Sequence, residues 1–176
     1  TTSLSTKEAM LHDWGSRDQK FIELNHSIRE SLVKLIEGQD DYQCVPMQGS
    51  GTFAVESMIS SLTPKDAKIL ILINGAYGHR MKKMCSYLNR NCIDYEVAEH
   101  EQHSLIQIEK IIDKNKDLTH VFVVYCETTS GILNPIQDIA DIVKRKNLSL
   151  FIDAMSAFGG LPLSSKETKF DAVAAS

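Results

Sequence analysis

The sequence predicts an α/β fold: a three-layer, mainly parallel sheet of the doubly wound kind. Three observations predict it. The apolar runs Lys68 to Ile73 (KILILI) and His120 to Cys126 (HVFVVYC) read as strands covered on both faces, the pattern of parallel sheets. Segments of helical period separate the strands, and this βαβ rhythm makes successive strands parallel. Polar clusters follow the strand carboxyl ends, where ligands collect in such sheets.

The elements follow in chain order. Phe21, Leu24, Ile28, Leu32, Leu35 and Ile36 recur at helical spacing and mark an amphipathic helix, with Gly38 as its stop. A short apolar stretch, Tyr42 to Met47, leads through Gly49-Ser50-Gly51-Thr52 into a helical pattern from Phe53 to Leu62. Pro64 breaks the chain before the KILILI strand. A helix from about Gly78 to Asn89, a weaker strand at Ile93 to Ala98, a helix at Ser104 to Lys114 and the buried strand His120 to Cys126 come next. Pro135 opens a helix to Lys146 with Ile136, Ile139, Ile142 and Val143 on one face. Leu148 to Ile152 is another buried strand, and Phe170 to Ala174 begins one more. No linker, internal repeat or low-complexity segment interrupts the pattern, so one domain is expected.

Composition limits the function classes. The chain has 176 residues, 43% of them apolar, enough for one sizeable core. A net charge of −4 with interspersed signs argues against nucleic acid, and the basic run Lys144-Arg145-Lys146 falls where a helix ends. Cys44, Cys85, Cys92 and Cys126 form no CxxC pair and, without a signal peptide, read as reduced thiols of a cytoplasmic protein. None has an activating base in the sequence pattern. No apolar stretch approaches the roughly 20 residues that span a bilayer, so no membrane partner is expected. Glu99, His100, Glu101 and His103 lack a further ligand at defensible spacing and read as a solvated cluster, with no metal site.

Four motifs carry chemistry. In Gly49-Ser50-Gly51-Thr52, glycines admit an oxyanion to the backbone, two hydroxyls add donors, and the following helix offers free N–H groups at its positive end. No lysine follows the second glycine and no GxGxxG spacing is present, so a single phosphate fits better than a nucleotide. The plain alternative is a helix start capped by Ser50. After KILILI, Tyr77 sits in a glycine-flanked turn, as a platform for a flat ring or as a packing aromatic. After HVFVVYC, Thr128, Thr129 and Ser130 offer hydroxyls to a phenolic or carbonyl oxygen, or mark a turn. Asp153 ends a wholly apolar strand, where an unpaired carboxylate costs several kcal/mol, so a cation, a metal or a protonated ring nitrogen should meet it. Otherwise it caps the next turn. Arg17 and Arg80 suit a phosphonate or carboxylate, or ordinary surface pairing.

Taken together, VPMQGSGTFAVES, INGAYGHRM, YCETTSGILNPI and FIDAMSAFGGLPL resemble the class V aminotransferases of pyridoxal 5'-phosphate (PLP) fold type I, over about Lys7 to Ser176. The resemblance implies the large-domain portion of such an enzyme. Ser50, Gly51 and Thr52 would hold the cofactor phosphate, Tyr77 would lie over the ring, and Thr129 would approach its oxygen. Asp153 would be catalytic through the ring nitrogen; Arg17 stands as the candidate substrate contact on its guanidinium chemistry rather than on the resemblance. It further implies transfer of an amino group from 2-aminoethylphosphonate to pyruvate, with alanine:glyoxylate or serine:pyruvate exchange as the alternative. A non-catalytic phosphate-binding module is the alternative of another class. The Schiff-base lysine is expected just beyond Ser176, with a small C-terminal domain and a short N-terminal stretch also outside these residues. On that reading the chain alone would be inactive, and the full-length enzyme a homodimer.

Overall fold

The computed structural model describes residues 2–176, and the chain divides into two compact units, one up to Pro46 and one from Met47 to Ser176. The N-terminal unit holds α1 (Leu4–Ala9) and α2 (Gln19–Leu35). Ser3 caps α1 by accepting the Thr6 N–H. No residue of α2 is buried, and Leu24, Ile28 and Leu35 of its apolar series are exposed, as is Ile22. Arg29 of α2 donates to the Cys44 carbonyl at 2.8 Å, which ties the segment after the helix back to it.

The second unit is the α/β body. Its elements are α3 (Gly51–Leu62), β1 (Lys68–Ile73), α4 (Ala76–Tyr87), β2 (Asn91–Glu96), α5 (Leu105–Lys114) and β3 (His120–Val124). They continue with β4 (Cys126–Glu127), β5 (Ile132–Leu133), α6 (Ile136–Arg145), β6 (Ser149–Asp153) and β7 (Ala172–Ala174). The five-stranded sheet has the order β2-β1-β3-β6-β7 and is parallel throughout, as the sequence predicts. Each interior strand is buried along almost its whole length, which explains the uninterrupted apolar runs.

Strand alternation assigns the two faces. Ile69, Ile71, Ile73, Phe122, Val124 and Phe151 form one core with Val55, Met58 and Ile59 of α3 and Met81, Met84 and Cys85 of α4. Leu70, Leu72, Val121, Val123, Leu150 and Ile152 therefore point the other way. There α6 packs on β6 and α5 packs on α6, giving three layers. Chain order reverses between β1 and β3, since β2 lies outside β1 on one side while β6 and β7 extend the sheet on the other. Such a reversal opens a crevice at the strand carboxyl ends.

Two local expectations change. The stop of α2 is not Gly38: the left-handed position falls on Glu37 (φ 52°), and the Gly38 N–H returns to the Val33 carbonyl at 3.1 Å. Helices α4 and α6 close in the same way on Asn89 (φ 51°) and Asn147 (φ 54°). The run His120 to Cys126 also divides. The strand ends at Val124, and Cys126–Glu127 turns into an antiparallel hairpin with Ile132–Leu133 that the apolar pattern conceals.

Candidate active site

The phosphate-type turn opens α3. Ser50 occupies the N-cap position with extended backbone, and its carbonyl accepts from Phe53 N–H at 2.9 Å, but its hydroxyl makes no cap bond. The side-chain cap is thus not formed, and the hydroxyl is available to a ligand together with the first-turn N–H groups. Gly49 has φ 126°, and a Cβ there would lie 2.5 Å from the Phe53 ring, so this position requires glycine. A Cβ on Gly51 would lie 2.5 Å from Met155 Sδ, so the turn closes directly on the loop after β6.

Ser50, Gly51, Thr52, Tyr77, Arg80, Asp153 and Met155 line one cleft of about 200 Å³. The turn, the aromatic residue and the strand-end carboxylate, the first and last of them 103 residues apart (Ser50 to Asp153), therefore meet in space. Arg80 of α4 lies over the Tyr77 ring, with its guanidinium carbon 4.8 Å from the ring centroid, and donates to Thr52 Oγ1 at 3.3 Å. Its place is the cleft wall rather than a surface ion pair.

Asp153 is 3% exposed and accepts from the Met155 N–H at 3.1 Å through Oδ1. That bond is the turn-capping contact expected of a strand-end aspartate. It does not neutralise the charge, and among the described residues Asp153 forms no ion pair with Lys or Arg. Burial holds the carboxyl above the usual carboxylate range, and the charge of Glu127 adds to the rise; the Met155 N–H and Arg80 oppose it.

Thr129 does not line the cleft. Its hydroxyl donates to Glu127 Oε1 at 3.0 Å, and the Glu127 carboxylate accepts the Tyr77 N–H at 3.3 Å through Oε2. Thr128 bonds Ser156, joining the hairpin to the β6 loop. Arg17 lies on an exposed turn of the N-terminal unit.

Sequence reasoning passed over Glu127, which is fully buried (0% exposed), and the pair Asn74 and Asn134. Each asparagine donates to the other's carbonyl oxygen, at 3.0 and 3.1 Å, fastening the β1 loop to the end of the hairpin. His103 completes this network through Nδ1 to Asn134 Oδ1 at 3.1 Å. His103 is 3% exposed and departs from the expected solvated cluster, whose other members Glu99, His100 and Glu101 are exposed. Burial pushes its pKa down. Among the described residues no group of His, Cys, Asp and Glu is arranged to hold a metal, and no helix is long and apolar enough to cross a membrane. Cys85 is buried in the core and its pKa is pushed up to about 12, mainly by burial, which makes it a poor nucleophile.

Comparison with known proteins fits this geometry. The family model described as aminotransferase class-V matches residues 5–176. The chain is 47% identical over 175 residues to the 2-aminoethylphosphonate--pyruvate transaminase of Pseudomonas putida (strain W619), covering 99% of the chain and 48% of that relative. It thus spans about half the length of the curated relatives it matches. Among solved structures, an alanine--glyoxylate aminotransferase from Nostoc sp. superposes with a TM-score of 0.88 at 21% identity, over 96% of the chain and 45% of that protein. The pyridoxamine-pyruvate aminotransferase of Mesorhizobium loti gives 0.86 at 23%, over 93% and 41%. These two likenesses concern the fold.

Proposed function

Since the chain belongs to the class-V aminotransferases, we propose that it forms the PLP-binding part of an enzyme that transfers the amino group of 2-aminoethylphosphonate to pyruvate, giving phosphonoacetaldehyde and alanine. The observation that carries the cofactor reading is the convergence of a bare helix start, an aromatic side chain and a buried carboxylate on one cleft. The residues fit the group: the α3 start lines the cleft with no side-chain cap on its first-turn N–H groups, and Asp153 is a buried carboxylate without a Lys or Arg ion pair among the described residues. The choice of amine and keto acid rests on the 47% identity.

Ser50, Gly51 and Thr52 would hold the phosphate with hydroxyls and first-turn N–H groups, aided by the α3 dipole and the Arg80 guanidinium on Thr52. Tyr77 would fix the plane of the ring. Asp153, already burdened by desolvation, would gain a cationic neighbour and hold the proton on the ring nitrogen. When bound, PLP supplies an aldehyde that condenses with a primary amine and a protonated ring that draws electrons from the adjacent carbon. Thr129 lies outside the cleft lining and is tied to Glu127, so a contact from it to the ring oxygen rests on the family resemblance alone. Arg17 remains a candidate substrate contact because a guanidinium suits a phosphonate or carboxylate, and the family resemblance places the Schiff-base lysine in the half of the relatives that the chain does not span. We extend the proposal to a homodimer on family membership, and to the cytoplasm on the unpaired cysteines.

The test is a substrate panel on the enzyme that contains these residues, supplied with PLP. Alanine formation from 2-aminoethylphosphonate and pyruvate is expected to exceed exchange between alanine and glyoxylate. The reverse preference would overturn the substrate assignment while leaving the reaction class intact.

A further inference from the structure

We propose that Glu127 is a positioning residue of this site, whose buried carboxylate clamps the first turn of α4 to the β4–β5 hairpin and so sets Tyr77 and Thr129 together. The proposal rests on the reading of the cleft as a PLP site. Helix α4 needs such a partner. Its N-cap is Gly75, which has no side chain to accept the first-turn N–H groups. Glu127 supplies the missing oxygens from 50 residues away, taking the Tyr77 N–H at 3.3 and 3.4 Å. A carboxylate at that end also meets the positive pole of the helix.

The same group holds the hairpin. Thr129 Oγ1 donates to Oε1 at 3.0 Å, while the Glu127 carbonyl accepts the Gly131 N–H at 2.7 Å and closes the turn. Contact with the β1–α4 turn leaves no slack: a Cβ on Gly75 would lie 2.3 Å from Glu127 Cγ and 2.4 Å from Cδ. The backbone of Gly75 is extended (φ 167°), so the restriction is the carboxylate and not the dihedral angle. Three strand-end loops thereby share one anion: Glu127 bonds the loops after β1 and β3 and acts through its charge on Asp153 after β6. An amide in its place keeps one acceptor oxygen instead of two and carries no charge, so its hold on the Tyr77 N–H and the Thr129 hydroxyl is weaker.

The experiment compares the wild-type chain with Glu127→Ala and Glu127→Gln. Hydrogen exchange of the Tyr77 amide, measured without cofactor, is expected to quicken about tenfold or more in Glu127→Ala while core amides such as Ile71 and Phe122 keep their protection. PLP affinity, read from the absorbance of the bound chromophore, should fall about tenfold to a hundredfold, the scale on which supporting partners act at other sites. Glu127→Gln, which preserves side-chain volume, should weaken affinity severalfold. It should also lower the pH at which the Asp153 carboxyl carbon titrates by NMR, since Asp153 faces Glu127 from the hairpin, Arg80 from α4 and the Met155 N–H of its own loop. Packing loss alone would not produce that downward shift. Unchanged Tyr77 exchange in Glu127→Ala, or unchanged affinity and Asp153 titration in Glu127→Gln, would overturn the proposal. A wild-type chain that takes up no PLP would refute the cofactor reading and Glu127's part in it, and the exchange measurement would then decide the clamp by itself.

Discussion

Replacing Asp153 by Asn should make the cofactor-free chain more stable and its PLP binding weaker. Asp153 is 3% exposed, accepts one hydrogen bond from Met155 N–H, and lies within the field of a second buried carboxylate, Glu127. An effective desolvation penalty of several kcal/mol per buried ion is typical. Asn keeps the bond from Met155 and removes the charge, but its NH2 group lacks a prepared acceptor, which costs about 1–3 kcal/mol. The net is a stabilisation of about 1–2 kcal/mol, or a rise in Tm of about 3–6 °C for a chain of this size. The pH dependence has a definite sign. The folded-state pKa lies above the ordinary 3.8, so the penalty in the wild type is complete above the folded pKa. It shrinks as pH falls through that value and vanishes below 3.8. Thermal unfolding at pH 8 and in steps down to pH 4.5 should show the gap between variant and wild type closing. Loss of a charge-assisted bond to the ring nitrogen should weaken PLP by about tenfold to a hundredfold. A variant less stable than wild type at pH 8, or a gap that ignores pH, would refute the account of Asp153 as an anion without a counter-charge.

Two further outcomes are expected. Gly51→Ala should leave stability nearly unchanged, because the atom it meets at 2.5 Å is the flexible thioether end of Met155. The added methyl would still occupy the cradle, so PLP titration should show affinity reduced about tenfold or more; an unchanged Kd would remove Gly51 from the phosphate site. For His103, burial lowers the folded-state pKa below 6.5. Its contribution to stability is complete above about pH 6.5 and is lost as pH falls through the folded pKa. Urea denaturation between pH 8 and pH 5 should therefore show a loss that is absent in His103→Gln; parallel profiles would count against a neutral buried imidazole.

The sheet was legible because its strands are buried on both sides, and KILILI can hardly be anything but an interior strand. The limits of α5 and α6 followed from Ser104 and Pro135, since caps are written locally. The hairpin was not legible: Cys126 closes an apolar run that reads as one strand, and the hydroxyl cluster up to Gly131 (φ 74°) marks a turn without showing that Ile132–Leu133 returns antiparallel to Cys126–Glu127. Tyr77 and Asp153 could be chosen as site residues because their types contrast with the strands they follow. Glu127 stood in the same quoted motif, yet its role depends on Gly75 and Tyr77, 50 residues earlier, and long-range pairing of that kind leaves no local pattern. His103 misled for a related reason. Its charged neighbours suggest solvent, whereas the ring turns inward to Asn134 and stacks edge-on against Tyr95.

The charge pattern of the cleft narrows the class of ligand more than any single residue does. At the α3 start, unpaired N–H groups, two hydroxyls and the Arg80 guanidinium on Thr52 favour an anion. At the β6 end, Asp153, with Glu127 behind it, favours a cation. A free phosphate would satisfy the first and add repulsion at the second; a simple amine would do the reverse. Tyr77, between α4 and the cleft, asks for a planar surface. A ligand that is anionic at one end, cationic at the other and flat in the middle meets all three conditions at once, and a phosphorylated, protonated pyridine has that form. The phosphate-binding module without catalysis explains the glycine turn but leaves the buried Asp153 without a reason, and that unexplained charge is why the PLP reading is preferred.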